Sequence, residues 1–101
     1  MRPLSWTKQS WESRILEIDC TDTLPLNVTI ASVTAVVLDS VGTDVSLTMI
    51  EGLPTIVHPS VFVQIMAGTS GQNYNLRIRL TLSNFELAED DITIYVRDVS
   101  L

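Results

Sequence analysis

From Tyr74 to Leu82 apolar and polar residues alternate without a break. Tyr74, Leu76, Ile78, Leu80 and Leu82 fall on one side, and Asn75, Arg77, Arg79 and Thr81 on the other. A helix would scatter these two sets around its circumference, whereas a strand separates them into a dry face and a wet face. The segment therefore reads as a half-buried strand. Such a strand needs neighbours to complete its backbone hydrogen bonds and a second layer to cover its apolar side.

The same period recurs along the chain. Asp91–Arg97 places Ile92, Ile94 and Val96 inward and Thr93, Tyr95 and Arg97 outward; Val61–Met66 places Val61, Val63 and Ile65 inward. Asp44–Met49 reads as a strand with Val45, Leu47 and Met49 on one face, and Arg14–Asp19 as a first strand with Leu16 and Ile18 inward. Thr29–Leu38 is long, β-branched and apolar on both faces, which predicts a central strand. A short strand is expected at Thr55–Val57. Helical turns are expected only near Ser10–Ser13 or around Phe85–Asp90. All four prolines and all four glycines lie between these stretches, where missing donors and positive φ are useful. The expected fold is all-β: an Ig-like antiparallel β-sandwich of about seven strands with an extended N-terminal arm.

The chain has 101 residues and a formal net charge of −6. One domain fits that length, and the acidic balance argues against a protein that tracks nucleic-acid phosphates. No apolar run reaches the ~20 residues of a membrane helix, and the first residues lack a secretion signal's apolar core, so no membrane partner is expected. Cys20 is the single cysteine and His58 the single histidine. An internal disulfide is excluded, and the expected setting is a reducing compartment.

Residues 1–13 differ from residues 14–101. They hold both tryptophans, Trp6 and Trp11, with no strand alternation. Arg2 and Lys8 against Glu12 give this arm +1, while the remainder carries 4 − 11 = −7. Two roles stay open for the arm: docking on a neighbour, or folding back to cap its own sandwich. Large aromatics are common interface anchors, so the contact candidates are Trp6, Lys8, Trp11, Phe85 and Tyr95.

No constellation points to catalysis, a metal or a cofactor. His58, between Val57 and Pro59, has no nominated partner for acid–base work. Carboxylates near Cys20 disfavour a reactive thiolate. Glu89-Asp90-Asp91 lacks calcium-loop spacing and reads as a solvated acidic turn. Ala67–Gln72 lacks the lysine and following helix of a phosphate loop, and reads as a tight turn. Tyr74, two residues before an inward Leu76, fits either a tyrosine corner or a plain core tyrosine.

The order of blocks resembles a family. Leu16–Asp19 followed by Thr23-Leu24-Pro25-Leu26-Asn27-Val28-Thr29-Ile30-Ala31-Ser32, then Val61–Tyr74, Leu76–Ser83 and Glu89–Asp98, resemble small fibre–tail adaptor or neck proteins of tailed bacteriophages and prophages. The likeness spans about residues 15–98. Asn27, Ala67 and Asn84-Phe85 stand where that family often has glycine, and asparagine tolerates left-handed φ. The resemblance implies a non-enzymatic virion structural protein, made in the host cytoplasm, with no cofactor. Its partners would be portal or connector, tail tube or terminator, and fibre proteins, within a homo-oligomeric ring. The competing class is an Ig-like surface or carbohydrate-binding module.

Overall fold

The computed structural model describes residues 5–98. Seven strands form two sheets: β1 (Ser5–Lys8), β2 (Arg14–Asp19), β3 (Ile30–Leu38), β4 (Ile50–Val57), β5 (Ser60–Ile65), β6 (Asn73–Leu82) and β7 (Leu87–Val96). One sheet runs β1-β7-β6-β3 and the other β2-β5-β4. All pairs are antiparallel except β1 with β7. This is an all-β sandwich, and its two sheets divide the strands as immunoglobulin-type sandwiches do, with β2-β5-β4 opposed to β7-β6-β3.

The core follows the alternation. Leu16, Ile18, Val61, Val63 and Ile65 come from one sheet, and Leu76, Ile78, Leu80, Ile92, Ile94 and Val96 from the other; all are buried. Each such side chain contributes ~1.5–3 kcal/mol on leaving water. Cys20 is buried among them, its thiol donating to the Ile18 carbonyl at 3.7 Å. Tyr74 fills the corner role: near the start of β6, its hydroxyl accepts the Thr69 N–H at 2.9 Å. Leu76, two residues on, is fully buried at the position where antibody domains place a disulfide cysteine.

Several expectations are corrected. Asp44–Met49 is not a strand: Ser46–Met49 is one α-helical turn, α1. The Asp44 carboxylate takes the Ser46 N–H at 2.9 Å and turns the chain. Val45 and Met49, four apart, then face the core while Leu47 is exposed. Period two over so short a run does not exclude that arrangement. No helix lies at Ser10–Ser13 or Phe85–Asp90; among the described residues the other helical element is a 3-10 turn at Thr21–Thr23. β3 is an edge strand, not a central one.

Glu89-Asp90-Asp91 is no solvated turn but part of β7. Glu89 and Asp91 sit across from Arg79 and Arg77, with ion pairs Arg79–Glu89 at 2.9 Å and Arg77–Asp91 at 3.2 Å. Asp90 points the other way, is buried, and accepts the Thr23 hydroxyl at 2.9 Å. The cross-strand pairs are exposed ladder contacts of the kind worth a few tenths of a kcal/mol to ~1 kcal/mol each.

Residues 5–8 of the N-terminal segment form β1 and so extend the sheet, despite the lack of alternation. Lys8 lies in register with Val96, and the Arg97 N–H donates to the Lys8 carbonyl at 2.9 Å. This part of the arm belongs to the sandwich.

Candidate interaction surfaces

The connections gather at two poles. The loops after β2, β4 and β6 lie at one pole: Ser83 N–H donates to Thr29 O at 2.8 Å and Cys20 N–H to Pro59 O at 3.0 Å. The other pole holds the β1–β2 connection, the loop 66–72 and the end of β7, where Gly71 N–H donates to Val96 O at 2.8 Å. β7 spans the ten residues between them, roughly 33 Å at strand rise.

At the first pole, Phe85 occupies the β6–β7 hairpin. Its N–H donates to Leu82 O at 2.9 Å, and Leu82 N–H donates to Glu86 O at 2.9 Å. That is a three-residue loop whose last position takes left-handed backbone, a site that favours glycine. Phe85 adopts φ +68° there while its side chain is 89% exposed. Left-handed φ was expected at Asn84; Phe85 takes it instead. Asn27 does adopt it, at +63°, in the turn closed by Val28 N–H to Pro25 O, which leaves Leu26 exposed. Leu87, first in β7, is exposed too. His58 lies in the exposed β4–β5 turn of this pole, before a cis Pro59.

At the second pole, the remaining contact candidates separate. Gln9–Glu12 is a turn: Glu12 N–H donates to Gln9 O, and Gln9 N–H to Glu12 Oε1 at 2.6 Å. Trp11 stands in that turn, 77% exposed. Trp6 is instead half-buried against the core, with the Arg14 guanidinium 5.8 Å from its ring centroid. Tyr95 is half-buried on the outer face, and the Arg97 guanidinium lies 5.6 Å from its ring. Lys8 is corrected outright: it is buried, not surface-displayed. Its ammonium donates to the carbonyls of Gln9, at 2.6 Å, and Ala67. Burial pulls its pKa down, while Glu12 and Asp98 act in the opposite direction. Lys8 thus joins the arm to the loop 66–72 from within.

Asp98 fastens this pole from outside. Its carboxylate accepts the Ser10 N–H at 2.7 Å and the Ser10 hydroxyl at 2.9 Å. Those hydrogen bonds, backbone first, hold its pKa below the ordinary 3.8, with Lys8 a smaller aid. A depressed folded-state pKa means that the contribution is complete above the unfolded value and lost as pH falls through the folded one. Acidification below pH 3.8 is therefore expected to release Ser10 before the sheets separate. The Ser10 amide followed by NMR across that range should lose protection; a Ser10 amide indifferent to pH there refutes the latch.

Neither the family models nor the curated proteins include a match to this chain. Among the described residues, no three or more His, Cys, Asp or Glu side chains cluster in a way that would hold a metal ion. What the geometry offers chemically is contact: exposed apolar side chains at both ends of a packed body.

Proposed function

We propose that the chain is a virion structural protein of a tailed bacteriophage or prophage. In this reading it is a neck or tail adaptor that assembles in a ring and connects the tail or portal region to neighbouring fibre or tail proteins. The observation that carries the reading is Phe85, held at φ +68° with its ring in water. Strained backbone and an exposed aromatic both disfavour the free domain, and a partner surface makes use of both. Trp11 at the opposite pole supplies a second anchor, as an adaptor between two neighbours requires. The family resemblance over residues 15–98 adds the identity of those neighbours.

The test is co-purification. Tagged chain expressed in cells that produce particles should sediment with portal and tail proteins, and Trp11→Ala should reduce that fraction. A chain that stays unassembled in such cells, or an isolated domain that binds a glycan array, overturns the proposal in favour of the surface-module alternative. Deletion of residues 1–13 is a poorer probe than substitution, because it removes β1 and the buried Lys8 together.

A further inference from the structure

The sandwich has four sheet edges: β1 and β3 in one sheet, β2 and β4 in the other. Exposed edges invite pairing with foreign strands, and stable monomers blunt them with short length, charge, proline or bulges. Three of these edges are blunted. β1 has four residues; β2 carries Arg14, Glu17 and Asp19; β4 carries Glu51 and Pro54, with a bulge between Glu51 and Thr55. β3 is nine residues long with neither charge nor proline, and its one irregularity lies at its start, between Ile30 and Ser32.

The chain itself closes only the far end of this edge. Val37 N–H donates to Ser46 Oγ at 2.9 Å, and Val37 C=O accepts the Val45 N–H at 2.8 Å. Both Val37 groups therefore point away from β6. Backbone direction alternates along a strand, so Val33 and Ala35 present their N–H and C=O to the same side, where no described strand lies. Beside them runs an open groove of about 360 Å³ between the sheets, lined by Val33, Ala35, Ile50 and Pro54. Leu47 and Leu53 flank it, 98% and 91% exposed.

We propose that β3 pairs antiparallel with β3 of a second copy of this chain. Charge selects that occupant. Net charge −6 repels two copies, least where neither surface carries charge at the contact, and β3 is the uncharged edge. Pairing centred on Val33 sets Val33 opposite Val33, Ala31 opposite Ala35 and Ser32 opposite Thr34. Each of these facing pairs is small and neutral, and the contact closes on itself by two-fold symmetry. A foreign strand would find no charge on this edge to recognise. The inference does not rest on the adaptor reading.

Sedimentation and hydrogen exchange on the full chain test it. The native protein should reach twice the 11.2 kDa of one copy as concentration rises, and the Val33 and Ala35 amides should exchange more slowly in step. Thr34→Glu places a carboxylate opposite Arg79 within the chain, which suits the fold, yet sets two carboxylates diagonally across the two-fold axis. It should abolish the dimer while melting like the native chain at dilutions where both are monomeric, whereas Gln72→Glu, of equal charge in an exposed loop, should keep it. A native chain at 11.2 kDa throughout with fast exchange at both amides overturns the proposal. So do oligomers that Thr34→Glu leaves intact, which would sink this edge and spare the adaptor reading. Loss of co-purification with the dimer intact would do the reverse.

Discussion

Gly68→Ala is expected to lower the stability of the domain by roughly 2–5 kcal/mol, from left-handed strain of ~1–2 and overpacking of ~1–3 kcal/mol. Gly68 sits at φ +94°, in the loop that carries the chain from β5 to β6. A methyl group there would stand 2.9 Å from Val96 Cγ2, 3.1 Å from Met49 Cε and 3.5 Å from Tyr74 Cε2. Met49 can swing aside, but Val96 is a fully buried β-branched side chain with little freedom to yield. The intruding carbon also abuts the tyrosine whose hydroxyl holds the Thr69 N–H, so the loop shifts as a unit. For a domain of this size the loss corresponds to a fall in melting temperature on the order of 10–40 °C. Gly71 provides the comparison: its φ is +90°, yet a Cβ there meets nothing within 4 Å. Gly71→Ala should carry the backbone strain alone, about 1–2 kcal/mol. Equal losses in thermal unfolding of the two variants would mean that the close approach at Gly68 contributes nothing.

The two-sheet body was legible because period two is a strong signal when long. Tyr74–Leu82 and Asp91–Val96 alternate far enough that only a strand fits. At Asp44–Met49 the same pattern is too short, and a local hydrogen bond from Ser46 to Asp44 decided the matter. The position of β3 was illegible for a different reason. Edges are normally recognised by charge, proline or brevity, and β3 has none of them. β1 escaped notice because a four-residue strand needs no alternation when its partner, β7, supplies the register. The buried Lys8 is a tertiary outcome: nothing near it in sequence announces that the Ala67 carbonyl will receive its ammonium. Arg77, Arg79, Glu89 and Asp91 did carry a usable signal. Two cations and two anions at matching spacing, on either side of a hairpin turn, fix the β6–β7 register.

Among the contact candidates, exposure patterns separated Trp11 and Phe85 poorly from Trp6 and Lys8, since solvent access depends on what lies across the sheet. Phe85 is the one for which backbone and side chain give independent reasons. Replacing it with glycine relieves left-handed strain of ~1–2 kcal/mol and adds unfolded-chain entropy of ~0.5–1 kcal/mol. Phe85→Gly should therefore melt at or slightly above the native temperature. If the ring is an anchor, the same change removes a buried aromatic contact from the assembly, worth ~2 kcal/mol or more. Attachment at that pole should then weaken about 30-fold. The two effects have opposite sign, which separates an interface residue from a merely tolerated one. Thermal unfolding of the purified domain gives the first, and recovery of the chain in sedimented particles gives the second. A variant that melts higher and is recovered at native level would leave the strained phenylalanine without a role and remove the main support for the adaptor reading. Leu26→Ala and Leu87→Ala, at the same pole but outside the strained position, should lower recovery by less, because an aliphatic rim residue buries less area than a central aromatic.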